Sequence, residues 1–71
     1  MTNTDLLREK ITESGMSITY IARAIGITRE GFYNKLSGKT EFNAPEIEEL
    51  KNLLRLTREE RDNIFFAKIV N

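Results

Sequence analysis

The sequence predicts an all-α fold: a compact bundle of five short helices in one domain over residues 1–71. Three observations predict it. Apolar residues recur three and four positions apart, and the alternation of a strand is missing. Gly15, Gly26 and Gly38 punctuate the chain, and Ser17, Thr28, Asn43 and Thr57 stand where helix caps belong. Successive helix starts lie about a dozen residues apart, which leaves room only for short connections. A chain of 71 residues builds one small core, so tight helix packing, self-association or both must stabilise it.

The first helix begins at Asn3 or Thr4, with Asp5 favourable in its first turn. Leu7 and Ile11 lie one turn apart with Leu6 beside them, and Gly15 ends the helix. Ser17 caps the second helix, whose apolar positions are Ile18, Ile21, Ala22 and Ile25. Gly26 breaks it. Thr28 caps the third, with Ile27 and Phe32 placed as a hydrophobic staple. Gly38 follows Phe32 and Leu36. The fourth helix repeats the device, with Asn43 as cap, Glu46 three residues on, and Phe42 and Ile47 as the staple pair. Pro45 falls in the first turn, where its missing N–H costs little. Ile47, Leu50, Leu53 and Leu54 form the inward stripe. Thr57-Arg58-Glu59-Glu60 is a capping box, and the fifth helix ends in an apolar run of Ile64, Phe65, Phe66, Ala67, Ile69 and Val70.

Composition excludes several functions. The chain has no cysteine and no histidine, so it has neither a disulfide nor the commonest metal ligands and general bases. No Gly-rich phosphate loop or converging carboxylates appear either. The expectation is no enzyme activity, no metal, no cofactor and no small-molecule ligand. No apolar stretch approaches ~20 residues, and the charged N-terminal segment is unlike a signal peptide. A soluble cytoplasmic protein without membrane contact is expected. Eleven Lys and Arg balance eleven Asp and Glu, a sum that does not favour nucleic acid. The distribution does. Residues 16–40 hold Arg23, Arg29, Lys35 and Lys39 against Glu30, a net of +3, and residues 41–60 hold six glutamates against three cations, a net of −3. A neutral chain can thus present one basic face, and a phosphate meets the local field.

The informative stretch is residues 17–38. Two helices that cross steeply over a short turn need a small residue where they touch, a glycine for positive φ in the turn, and inward apolar residues on both. Ala22, Gly26, and Ile21, Ile25, Ile27, Phe32 and Leu36 meet these demands, so helices two and three read as a helix-turn-helix. The stretch resembles the Cro and phage-repressor helix-turn-helix family through Ile21-Ala22, Ile25-Gly26-Ile27-Thr28, Phe32 and Leu36-Ser37-Gly38-Lys39. Gly-Ile-Thr-Arg, Tyr-Asn-Lys-Leu-Ser-Gly-Lys and Arg-Asp-Asn-Ile-Phe-Phe look like small Cro-like regulators of Gram-positive prophages. Ile18 and Lys35 depart from the family pattern, at positions where many relatives carry Gln and an apolar residue. The resemblance implies a five-helix phage-repressor-type domain that binds DNA as a dimer and regulates transcription, as a repressor, in a bacterial cytoplasm.

The site residues follow from how a helix enters the major groove. The N-terminal part of a recognition helix reaches base edges, each of which shows a distinct donor and acceptor pattern. Thr28, Arg29, Glu30, Tyr33 and Asn34 are the candidate base contacts. Arg29 suits guanine O6 and N7, Asn34 suits adenine, and Glu30 can accept from a cytosine amino group. Tyr33 can pack on a thymine methyl or bond a phosphate. Ser17, Tyr20, Arg23, Lys35, Lys39 and Thr40 are candidate phosphate contacts, together with the amides that start the fourth helix. Lys35 is expected to bury its stem and send its ammonium toward the DNA backbone.

The C-terminal run covers more than one helix face, and one helix on a small core buries about one. Phe65, Phe66, Ile69 and Val70 are therefore the candidate dimer interface, the alternative being that Phe65 and Ile69 fill the core while Phe66 and Val70 lie singly exposed. A two-fold dimer would set two recognition helices about 34 Å apart, one turn of DNA. The competing reading is a helical protein-interaction module, an adaptor or antirepressor that keeps the fold without reading DNA.

Overall fold

Each expected cap is formed. In the computed structural model, which describes residues 1–67, the side chains of Asn3, Ser17, Thr28, Asn43 and Thr57 each accept a backbone N–H three residues on. They open α1 (Thr4–Ser14), α2 (Ile18–Ala24), α3 (Arg29–Leu36), α4 (Ala44–Leu53) and α5 (Arg58–Phe65). Asn43 with Glu46, and Thr57 with Glu60, close reciprocal capping boxes. No strand occurs among the described residues. The Cα radius of gyration is 11.3 Å, close to the ~11 Å of a globular chain this long.

Three helix ends close alike. After α2, Gly26 N–H donates to the Arg23 carbonyl and Ile27 N–H to Ala22; after α3, Gly38 donates to Lys35 and Lys39 to Asn34; after α4, Arg55 donates to Asn52 and Leu56 to Lys51. This pair of hydrogen bonds across the end needs one residue with positive φ. Glycine supplies it at 26 (φ 78°) and 38 (φ 82°), whereas Arg55 adopts φ 55°. The end of α1 differs. Gly15 is left-handed, but Met16 N–H bonds the Ser14 hydroxyl, which itself donates to the Ile11 carbonyl.

α2 packs on α3, α4 on α5, and α1 touches both α3 and α5. At the centre Leu7, Ile21, Phe32, Leu36, Leu50 and Ile64 have lost essentially all contact with solvent. Edge-to-face contacts join Phe32 to Phe42 (centroids 5.9 Å apart) and Phe42 to Phe65 (5.5 Å). Phe42 therefore ties α3 to α5 from the connection between α3 and α4. The α1 end is held too, because Asn3 N–H donates to the Ile64 carbonyl.

Two expectations change here. The fifth helix stops at Phe65, and Phe66 and Ala67 of the apolar run are not part of it; Phe66, at φ −122° and ψ 34°, caps it through a bond to the Asp62 carbonyl. Phe65 is core, 3% exposed, because its ring is the edge partner of Phe42, so it is not available to a dimer interface. Phe66 is exposed, with the Arg61 guanidinium 6.0 Å from its ring centroid. Ile69 and Val70 lie outside the described residues.

Candidate nucleic-acid interface

The interface begins with what α3 buries. Phe32 and Leu36 face the core, and this fixes the rotation of the helix. Arg29, Glu30 and Tyr33 are then exposed, with Thr28 exposed at the cap and Asn34 half-buried. The Thr28 hydroxyl is engaged, since its Oγ1 accepts Gly31 N–H at 3.0 Å. The Arg29 guanidinium lies 5.6 Å from the Tyr33 ring centroid, one turn along the same face. Such stacking holds a long flexible cation in place while leaving its donor edge free.

The Asn34 carbonyl organises the chain after α3. It accepts N–H from Lys39 (2.9 Å) and Thr40 (3.3 Å) and the Ser37 hydroxyl (3.0 Å). The backbone of Lys39 and Thr40 is thereby anchored, and both side chains are exposed. On α2, Ser17, Tyr20 and Arg23 are exposed, and Ser17 Oγ is the cap acceptor for Tyr20 N–H. Among the described residues Arg23, Arg29 and Lys39 make no ion pair.

Lys35 is placed otherwise than expected. Its stem is covered, but its Nζ turns inward, 3.0 Å from Glu46 Oε1 and 2.9 Å from the Glu41 carbonyl oxygen, and 5.7 Å from the Phe42 ring centroid. An ammonium with these partners is neutralised and largely desolvated, so it does not serve as a phosphate contact. Glu46 explains the inward turn. Its carboxylate is held by the capping box with Asn43, and a buried charge requires a partner. The start of α4 is also less open to an anion than expected. Pro45 has no N–H and Glu46 N–H is taken by Asn43 Oδ1, so of the first three amides only that of Ala44 remains.

A second surface, built from residues far apart in the sequence, adjoins this face. Arg8, Ile11, Thr12, Met16, Ser17, Ile18 and Tyr33 line an open cleft of about 370 Å³ between α1, the start of α2 and α3. Ile18, half-buried on the core, is among its lining residues. The signal in sequence is faint. Arg8 is one charge on the outer face of α1, and only tertiary packing brings it beside Tyr33.

No cluster of acidic residues that could hold a metal occurs among the described residues, and no described helix is long and apolar enough to cross a membrane. Comparisons with protein-family models, with curated proteins and with solved structures find no match to this chain.

Proposed function

We propose that α2 and α3 form a helix-turn-helix and that α3 reads duplex DNA from the major groove, making the protein a Cro-like transcriptional regulator, a repressor. One observation carries this reading. α3 buries Phe32 and Leu36 and leaves Arg29, Glu30 and Tyr33 exposed in its first turns, with Arg29 stacked on Tyr33. A major groove admits one helix of this kind, and these side chains are donors and acceptors that distinguish base pairs. Ser17, Tyr20, Arg23, Lys39 and Thr40 are the groups for the flanking phosphates, which fix register and orientation. A two-fold dimer through Phe66 doubles these contacts on a palindromic operator.

The zero net charge and the exposed rings of Tyr20 and Phe66 favour the competing reading, a protein-interaction module. Substitution separates the two. Arg29→Ala and Asn34→Ala are each expected to lose operator affinity by about 1–3 kcal/mol and to relax the sequence preference at one position. Circular dichroism and melting temperature should stay near wild type. If both variants retain wild-type affinity and preference on the same selected duplex, α3 is not the reading head.

A further inference from the structure

Apart from Tyr33, the residues that line the cleft beside α3 take no part in the reading of base edges. Its lining combines a cation, Arg8, and the hydroxyl-bearing residues Thr12, Ser17 and Tyr33 with the apolar Ile11, Met16 and Ile18. Arg8 is exposed and makes no ion pair among the described residues. Tyr33 belongs to both surfaces, since it lines the cleft and carries Arg29 over its ring. The cleft is therefore continuous with the exposed face of α3.

We propose that this cleft seats one phosphodiester unit of the DNA that α3 reads, with Arg8 as its cation. The inference rests on the DNA-binding reading and names a contact that reading lacks. A sugar-phosphate unit is anionic at the phosphate and apolar on the deoxyribose face. The lining offers the complement of both: a guanidinium, which pairs with phosphate oxygens in a planar fork, hydroxyl-bearing residues, and aliphatic side chains. Ile18 acquires a role on this account. At a position where a polar residue would hydrogen-bond, it gives the sugar a surface to lie against. Arg8 acts through charge and position and carries no base information, so its loss must affect all sequences equally.

The test compares Arg8→Gln with wild type on one duplex selected by wild type from a random pool, over a range of salt concentrations. Each neutralised phosphate adds about 0.9 to the slope of log affinity against log salt. The expected result is a slope shallower by about 0.9 per protomer bound, weaker binding to specific and unrelated duplexes by the same factor, and unchanged ranking of operator variants. A second measurement replaces single phosphates of the duplex by neutral methylphosphonate. One position per half-site should weaken wild type and leave Arg8→Gln unaffected. Arg8→Gln with wild-type slope and affinity overturns the proposal, as does a changed ranking of operator variants, which would place Arg8 on a base. If wild type selects no duplex at all, the parent reading fails and this proposal with it. That failure differs in kind from an Arg8 variant without effect on a protein that binds.

Discussion

Lys35 and Glu46 show how one buried charge rearranges a surface. Their side chains are 16% and 10% exposed, and Glu46 Oε1 also accepts Asn43 N–H. Removal of the cation alone leaves a carboxylate largely desolvated and still needed by the capping box. Lys35→Ala is therefore expected to destabilise the fold by about 2–3 kcal/mol, below the ~3–5 of a fully buried pair because some solvent reaches both groups. Urea denaturation measures it. The double variant Lys35→Met with Glu46→Gln should recover most of the loss, since Gln keeps the capping box and Met fills the lysine stem. The residue scale is also where the sequence was least legible. Lys35 is one cation among four in its segment, and nothing local says that a glutamate eleven residues on will lie beneath it. Phe65 and Phe66 divide as the one-face alternative has it, Phe65 in the core and Phe66 exposed, because a helix on a small core buries about one face.

At the scale of the element, the helix ends were the most legible part of the chain. A capping side chain and the N–H it accepts lie three residues apart, so their chemistry is written locally: four caps stand where Ser17, Thr28, Asn43 and Thr57 indicated, and of the two candidates for the first, Asn3 rather than Thr4 is the cap. The exception is the end of α4. Arg55 takes a left-handed conformation that costs an L-residue about 1–2 kcal/mol, and no glycine marks it. Arg55→Gly is expected to stabilise the protein by about 0.5–1 kcal/mol once the greater entropy of unfolded glycine is subtracted. A fall in the urea midpoint would contradict this account of α4. Between elements, Lys10 of α1 reaches Glu60 of α5 at 2.6 Å. The Lys10 ammonium foremost, then the Thr57 N–H, hold the Glu60 carboxyl down from 4.5 to about 2, and Lys10 is raised in turn. A depressed carboxyl stabilises the fold above its ordinary value and loses that contribution as pH falls from 4.5 toward 2. The raised ammonium contributes below 10.5 and loses its share as pH rises through its raised value. Glu60→Gln should accordingly flatten the fall of urea midpoint with pH in the acid range. Equal pH dependence in variant and wild type would assign the acid sensitivity to other carboxyls.

For the whole molecule, five helices around one core leave the uncancelled cations of residues 16–40 at Arg23, Arg29 and Lys39, since Glu46 takes Lys35. The glutamates Glu48, Glu49 and Glu59 are exposed on α4 and α5. Helix count, order and most of the core were legible because apolar period and caps repeat one simple pattern; Leu56, buried after the end of α4, falls outside that pattern, and Leu53 and Leu54 are only partly buried. The cleft between Arg8 and Tyr33 was not, because it exists only where three helices meet. The proposed dimer puts the exposed Phe66 ring against a second copy. Sedimentation on the selected duplex is expected to give two protomers per operator for wild type and weaker cooperative occupancy for Phe66→Ser. The central claim is that α3 reads duplex DNA, and selection by wild-type protein from a random duplex pool, followed by footprinting, tests it most directly. The account predicts enrichment of one palindromic sequence, protected half-sites about one helical turn apart, and affinity that falls steeply with salt. A pool that emerges unenriched, with no protected segment at low salt, would contradict it.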